Sequence, residues 1–239
     1  MLPGAVEGIP KTRDAGWLAR ASYPCFVAER TLIVDFDGTI TEEDLLDTIA
    51  SEFGDPVVYR EVEEALGGST MPLREVITRE FEPVTAPLDE VVRWELEHVR
   101  IRPGFRELVD SAKERGWRLH VVSSGFHELI EPILESAGVA VALHANRVEP
   151  RPDGWRVIWR YGDDCDTCGE SCKRAVAEEL AGEGELVYVG DGYSDRCAAE
   201  LADRVFATRG LARWLGERGL EYEPFDDFHD VVRALDGRA

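Results

Sequence analysis

Apolar positions along this chain follow two alternating periods. Thr31-Leu32-Ile33-Val34 is a continuous, largely β-branched run that stops at Asp35, which predicts a strand buried on both faces, as in a parallel sheet. From Glu42 to about Val99 the period becomes helical. Leu45, Leu46, Ile49, Ala50 and Phe53 recur at helix spacing up to Gly54-Asp55-Pro56, and further helices are predicted at Val57–Leu66, Leu73–Phe81 and Leu88–Val99. Beyond Pro103-Gly104 the two periods alternate: helix Phe105–Arg115, strand Arg118–Val122, helix 127–137, strand Val139–Leu143. A hairpin is expected over 145–160 around Pro152-Asp153-Gly154. Helix 171–181, strand Glu185–Val189, another helix and strand Arg204–Ala207 follow. Strands alternating with helices predict an α/β fold, three-layered and Rossmann-like, with a mostly parallel sheet. The pattern divides the chain into a lead-in (1–30), a core (31–41 and 101–239) and a helical insertion (42–100).

Composition narrows the class. The 239 residues are 44% hydrophobic and 31% charged, enough to bury a sizeable core and unlike a disordered polymer. A formal charge of −21 speaks against sequence-independent binding to nucleic acid or to an anionic membrane, both of which need surplus Lys and Arg. No apolar run approaches the ~18 residues of a membrane span. The opening Met-Leu-Pro-Gly-Ala-Val-Glu has no basic stretch leading into an apolar one, so it does not read as an export signal. Five cysteines, an odd number, argue against a disulfide framework. The expectation is a soluble, cytoplasmic protein. Among its basic residues only Lys11, Lys113 and Lys173 are lysines.

In a parallel α/β sheet, ligands sit beyond the carboxyl ends of the strands. The first strand ends in Asp35-Phe36-Asp37-Gly38-Thr39-Ile40-Thr41, and two carboxylates at this spacing project to the same side of an extended chain. Burying both calls for a cation or forces one to keep its proton. Gly190-Asp191-Gly192-Tyr193-Ser194-Asp195 closes a later strand in the same way. Asp35, Asp37 and Asp191 together make a hard, all-oxygen set suited to one Mg²⁺. Ser123-Ser124-Gly125-Phe126 ends the second strand, where a hydroxyl and free N–H groups can hold a phosphoryl oxygen. Lys173 is expected in the first turns of the helix that precedes Asp191.

Asp-x-Asp-Gly-Thr, a serine closing the second strand, an isolated lysine and Gly-Asp-Gly-x-x-Asp, in that order, resemble the haloacid dehalogenase superfamily over about residues 31–210. The insertion after the first motif is similar to that superfamily's α-helical cap. The motif sequences resemble the subfamily IB-like branch that contains phosphoserine phosphatase and the methionine-salvage enolphosphatase, as does His144-Ala145-Asn146. The resemblance implies a Mg²⁺-dependent phosphomonoester hydrolase acting on a small phosphorylated metabolite, most like the enolphosphatase. It also implies roles. Asp35 attacks phosphorus to form an aspartyl-phosphate, and Asp37 is the acid and base. The metal is held by Asp35, the Asp37 carbonyl and Asp191. Ser123, Lys173 and the N–H groups near Phe36 and Gly125 grip the phosphoryl group, and Asp195 orients Lys173 or metal-bound water.

Cys165, Cys168 and Cys172 form C-x₂-C-x₃-C just before Lys173. They admit three readings: a zinc site completed by Cys197, His144 or Asp164, a redox pair, or small residues in a loop. Zinc is the less favoured reading. In the cap, Asp44 stands about where phosphoserine phosphatase places an acid for the substrate ammonium, and it reads equally as a helix N-terminal acid. Arg60, Arg74 and Arg79 are candidates for meeting a substrate carboxylate, and Trp94 and Tyr59 either pack in the cap, the favoured reading, or line an apolar pocket for a thioether. The competing substrates are phosphoserine and pyridoxal phosphate. A competing class is a non-catalytic phospho-acceptor or a cysteine-based metal or redox module.

Overall fold

Strand β1 (Arg30–Val34) runs through the middle of the sheet, and the location of the site follows from that position. The structure is a computed structural model that describes residues 30–68, 70–160 and 164–237; the expected lead-in, Arg30 apart, lies outside the described residues. β1 is parallel to β2 (Arg118–Phe126) on one side and to β5 (Glu185–Gly190) on the other. β3 (Ala142–Glu149) continues the sheet beyond β2, and β6 (Arg204–Ala207) and β7 (Glu223–Pro224) continue it beyond β5. Among the described strands only β4 (Arg156–Ile158) is antiparallel; it folds back on β3 as the predicted hairpin, pairing Val148 with Val157. The order β4-β3-β2-β1-β5-β6-β7 reverses direction between β1 and β5. That reversal opens a crevice at the carboxyl end of β1.

Side-chain alternation builds the three layers. Leu32 and Val34 face a core shared with α5 (Phe105–Glu114), α6 (His127–Ser136) and α10 (Phe228–Leu235). Ile33 faces the opposite core with α7 (Arg174–Leu180), α8 (Arg196–Ala199) and α9 (Arg209–Glu217). A strand covered on both faces has no polar side, which is why β1 reads as an unbroken apolar run.

The insertion contains α1 (Leu45–Phe53), α2 (Pro56–Gly67), α3 (Leu73–Phe81) and α4 (Leu88–His98). Asp44 caps α1 by accepting from the Asp47 N–H, and Asp55 caps α2 with Pro56 in its first turn. An antiparallel bridge between Thr41 and Ile101 ties the two ends of the insertion together. Its apolar side does not close on itself. Ile49, Ile77, Phe81 and Val91 share a core with Phe126, Leu129, Val148 and Trp155. Phe81 meets Phe126 edge to face at 4.8 Å, and the Trp155 indole donates to the Ala86 carbonyl at 3.0 Å. The helices are therefore seated over the end of β2 and on the hairpin.

Three expected boundaries move. β3 begins at Ala142, the first residue to pair with β2, and runs to Glu149, so His144-Ala145-Asn146 lies inside the strand and not after it. β2 continues to Phe126 through a register irregularity after Val122, which lifts Ser123-Ser124-Gly125 out of the regular ladder. The helix expected over 171–181 spans only Arg174–Leu180, and Lys173 is its N-cap. Before it, the Cys172 N–H donates to the Glu170 carbonyl and the Lys173 N–H to the Ser194 carbonyl, outside any helical ladder. Among the described residues, no helix is long and apolar enough to cross a membrane.

Candidate active site

Asp35 follows the last residue of β1 and is 3% exposed. Its N–H still donates to Val189 of β5 at 2.9 Å, while one carboxylate oxygen accepts from the Phe36 N–H at 2.6 Å. The chain then turns tightly. Gly38 has φ +73°, and a Cβ there would run into the Asp191 carboxylate, so both the turn and the close approach require glycine. Arg102 braces the turn from below, donating to the carbonyls of Gly38 at 2.7 Å and Thr39 at 2.8 Å. The Thr39 hydroxyl lies 3.2 Å from Asp191 and 3.4 Å from Asp35.

Lys173 is buried between two carboxylates. Its ammonium donates to Asp35 and, at 2.6 Å, to Asp195. Asp195 is fully buried and satisfied on every side. Besides Lys173 it accepts from the Tyr188 hydroxyl at 2.8 Å and from the N–H groups of Asp191 and Gly192 at 3.0 and 2.8 Å. Burial pushes its acidity one way, but the Lys173 charge and these hydrogen bonds outweigh it and hold Asp195 below the usual carboxylate range. Asp35 goes the other way: burial and the Asp195 charge raise it well above that range, against the pull of Lys173. Asp191 rises to about 6 through burial and Asp195. Oxygens of Asp35, Asp191 and Asp195 all lie within 4.8 Å of one another, with Lys173 buried among them.

Asp37 lies apart from this cluster. Its carboxylate accepts from the Ser123 hydroxyl at 2.8 Å, and that hydroxyl accepts from the Gly125 N–H at 2.7 Å. A Cβ at Gly125 would sit 3.1 Å from the Asp37 carboxylate, so glycine lets the β2 end approach it. Burial and the Asp44 charge raise Asp37 to about 7, although the Ser123 bond works against them. Asn146 fixes this side by donating to the Ser124 carbonyl at 2.8 Å and accepting from the Arg160 N–H. The phosphate-binding N–H groups expected at Phe36 and Gly125 are in place, but here they are engaged by Asp35 and Ser123.

A cavity of about 270 Å³ lies over these groups. Its floor includes Asp35, Asp37, Lys173 and Asp191; its roof, from the insertion, includes Asp44, Asp47, Glu63 and Glu80 with Leu66, Leu73, Val76 and Ile77. A larger hollow, about 600 Å³, lies at the β6–β7 edge and contains none of these carboxylates. The candidate arginines are not in the cavity lining. Arg74 pairs with Asp164 at 2.8 Å and stacks over Trp159, Arg79 pairs with Glu61, and Arg60 reaches the Pro56 carbonyl. Trp94 packs on Phe53 and His98, and the Tyr59 hydroxyl is taken by Asp47. Asp44 is at once a helix cap and a cavity wall, so its two sequence readings coexist.

Two further findings were not foreseen. Tyr188 hides in an apolar strand, and nothing in its sequence context marks the hydroxyl that reaches Asp195. Glu95 on α4 is fully buried, and among the described residues neither carboxylate oxygen has a hydrogen-bond partner. Burial, and then the Asp37 charge, push it to about 9. Of the candidates for a fourth ligand beside Cys165, Cys168 and Cys172, Cys197 is the one brought to them. His144 contacts His120 at 3.1 Å, and Asp164 pairs with Arg74.

Residues 32–200 match the haloacid dehalogenase-like hydrolase family. The 2-hydroxy-3-keto-5-methylthiopentenyl-1-phosphate phosphatase of Geobacillus kaustophilus is 31% identical over 208 residues, covering 85% of this chain and 94% of that protein. The enzyme of the same name from Exiguobacterium sibiricum is 29% identical over 210 residues, covering 85% and 95%. Among solved structures, a phospho-aspartyl intermediate analogue of phosphoserine phosphatase superposes with a TM-score of 0.67 at 20% identity, covering 87% of this chain and 99% of that one. Phosphoserine phosphatase from T. onnurineus gives 0.62 at 21%, covering 89% and 96%. At these identities the solved structures speak to the fold, while the family match and the curated relatives speak to lineage. The chain belongs to the haloacid dehalogenase-like hydrolases and is a phosphatase.

Proposed function

We propose that this phosphatase transfers the phosphoryl group of a small metabolite to Asp35 and then to water. The observation that carries the proposal is the division of labour between two acids two residues apart. Asp35 sits against Lys173 in a cluster of carboxylates, whereas Asp37 sits alone on Ser123 and titrates near neutrality. A nucleophile must be ionised, which for Asp35, raised by burial, calls for Lys173 and a cation; an acid/base must exchange its proton, as Asp37 can near neutrality.

The donor set suits Mg²⁺. Asp35 and Asp191 are carboxylates raised by burial and by nearby negative charge, and a hard divalent cation relieves that charge. Asp35, Asp191 and the Asp37 carbonyl would hold it. Bound there, it would offset phosphate charge so that a carboxylate can approach phosphorus. The remaining work belongs to the chain. Asp35 attacks phosphorus while Asp37, protonated, gives its proton to the leaving oxygen. Asp37 then takes a proton from the water that cleaves the aspartyl-phosphate. Lys173 and Ser123 bind the transferring oxygens. The Phe36 and Gly125 N–H groups join them by exchanging their present bonds for phosphoryl oxygens. Asp195 positions Lys173.

For the substrate, the roof favours a metabolite with an apolar tail. Leu66, Leu73, Val76 and Ile77 form an aliphatic wall, and the curated relatives are named for a substrate bearing a methylthio group. Phosphoserine is the second reading, supported by Asp44 facing the cavity. It lacks the arginine that a substrate carboxylate would want, since the described cavity lining contains none. Pyridoxal phosphate ranks behind both. Asp37, an acid/base beside the nucleophile, argues against a long-lived phospho-acceptor. The test is a panel of phosphorylated metabolites, with para-nitrophenyl phosphate as reference, run with and without EDTA. The methylthio enol-phosphate should be hydrolysed fastest and EDTA should stop every reaction until Mg²⁺ is restored. Preference for phosphoserine would overturn the substrate, and EDTA-insensitive turnover would overturn the metal.

A further inference from the structure

A second site lies one residue from Lys173. The sulfurs of Cys165, Cys168, Cys172 and Cys197 all lie within 4.8 Å of one another. Cys168 and Cys172 are 3.4 Å apart, Cys165 and Cys197 are 4.0 Å apart, and all four are free thiols. A disulfide holds its sulfurs at about 2 Å, well inside these separations. Four thiolates arranged tetrahedrally around zinc, at about 2.3 Å each, stand about 3.8 Å from one another. The observed spacing matches the second geometry.

Hydrophobic packing does not explain the gathering. Free cysteines collect in cores as small apolar groups, but Cys168 is exposed and Cys165 and Cys172 are half-buried. The segment from Cys165 to Cys172 contains no helix or strand. A knuckle shapes it: the Gly169 N–H donates to the Cys165 carbonyl at 2.7 Å, with Gly169 at φ +72°, and the Thr167 N–H points at the Cys165 sulfur at 3.4 Å. Arg174 comes from the other side, donating to the Cys197 carbonyl at 3.2 Å with its guanidinium 4.0 Å from the Cys197 sulfur. N–H groups and a cation around the sulfurs suit thiolates, because a tetrathiolate on a divalent ion keeps a net negative charge.

We propose that Cys165, Cys168, Cys172 and Cys197 bind one soft divalent cation of zinc's class, and that this ion positions Lys173 against Asp195. Cys172 immediately precedes Lys173, and Cys197 follows Asp195 by two residues, on α8. One ion would thus clamp both sides of the Lys173–Asp195 pair at once. It would also stabilise a segment too short and too polar to form a core of its own. The active-site cation is a separate matter: that site offers only oxygen, this one only sulfur.

The metal is read directly and needs no substrate, and the positioning role is read from the turnover of para-nitrophenyl phosphate. Full-length protein from zinc-supplemented growth is expected to carry one equivalent of zinc through exhaustive dialysis against Mg²⁺ buffer. Replacement by Co²⁺ should give the intense sulfur-to-metal charge transfer and visible bands of a tetrahedral thiolate site. Cys197→Ser should weaken Co²⁺ binding at least tenfold, whereas replacing the fifth cysteine of the sequence, Cys25→Ser, should leave the spectrum unchanged. Stripping the metal, with Mg²⁺ held at saturation, should lower kcat several-fold more than it changes KM, and zinc should restore it. A wild-type protein without zinc and without a Co²⁺ thiolate spectrum overturns the site. So does a spectrum insensitive to Cys197→Ser or lost in Cys25→Ser, or a Cys168–Cys172 disulfide in protein purified without oxidant. An unchanged kcat after stripping overturns the positioning role.

Discussion

The floor and the roof of the cavity are both acidic, yet they are built to opposite standards. On the floor nearly every charge has an assigned partner: Asp195 has Lys173, Tyr188 and two N–H groups, and Asp37 has Ser123. On the roof, Asp47 and Glu63 are exposed, and Glu95 on α4 has no hydrogen-bond partner among the described residues. In the proposed mechanism strand ends carry the chemistry, while helices seated on them by apolar contact leave room for selection among substrates. Substitutions on the floor should therefore strike kcat, and substitutions in the roof should act on KM or stability.

The largest effect is expected at Asp35. Asp35→Asn keeps the size of the side chain and its bond with the Phe36 N–H but removes the proposed nucleophile, so kcat should fall by about 10⁴-fold or more. Circular dichroism should be unchanged. Residual hydrolysis of para-nitrophenyl phosphate above about 1% of wild type would show that another group attacks phosphorus.

Asp37 comes next, and its effect depends on pH. In the proposed mechanism phosphoryl transfer needs Asp37 protonated, and burial raises Asp37 to about 7. kcat/KM should accordingly fall about tenfold per pH unit above that value. Dephosphorylation needs the carboxylate, so a rate limited by that step should fall below the same value. Asp37→Asn should cost about 10²–10⁴-fold and abolish the alkaline limb. A limb that survives the substitution belongs to another group. On the acid side Asp35 must ionise; since burial raises it, added Mg²⁺ should move that limb to lower pH.

Lys173 tests how far the floor depends on matched charges. Lys173→Met leaves Asp35 and Asp195 buried without their cation. The expected cost is about 3–5 kcal/mol of stability together with a loss of about 10²-fold in kcat. Chemical denaturation and single-turnover rates separate the two. A variant as stable as wild type would mean that the carboxylates take up protons instead, and mid-range pH titration would register that uptake.

The same contrast explains what the sequence could tell. Asp35, Asp37, Asp191 and Asp195 were readable because strand ends in a parallel sheet have a fixed relation to the crevice, and their spacing sets their direction. The helices of the insertion were readable from period alone, with α3 matching its expected bounds. What was hidden depends on contacts distant in sequence. Tyr188 reads as one more apolar residue of β5, and Glu95 as an ordinary polar position on α4. The choice of Cys197 over His144 or Asp164 rests on how α8 packs, and no local pattern encodes it. The 171–181 helix was overestimated, since the Cys172 and Lys173 N–H groups donate to Glu170 and Ser194 before it starts. The net charge of −21 says little about the floor, where local partners decide each proton.

Glu95 is the smallest of the expected effects and the most specific to the roof. Its folded carboxyl titrates at about 9 against an ordinary value of 4.5, so folding takes up a proton over that interval. The sign follows: this group's contribution to stability is fully present below about pH 4.5 and is lost progressively as pH rises to about 9, at roughly 1.4 kcal/mol per unit. Glu95→Gln keeps the shape and removes the titration. Its buried amide also lacks partners and recovers only part of the difference, so a net gain of about 1–2 kcal/mol is expected at pH 8, shrinking to nothing or reversing near pH 5. The measurement is urea denaturation of both proteins at the two pH values, with kcat followed in parallel. A gain independent of pH would mean that Glu95 is not the titrating group. A fall in kcat would tie it to Asp37, whose charge adds to its upward shift, and would move this residue from the roof's account to the floor's.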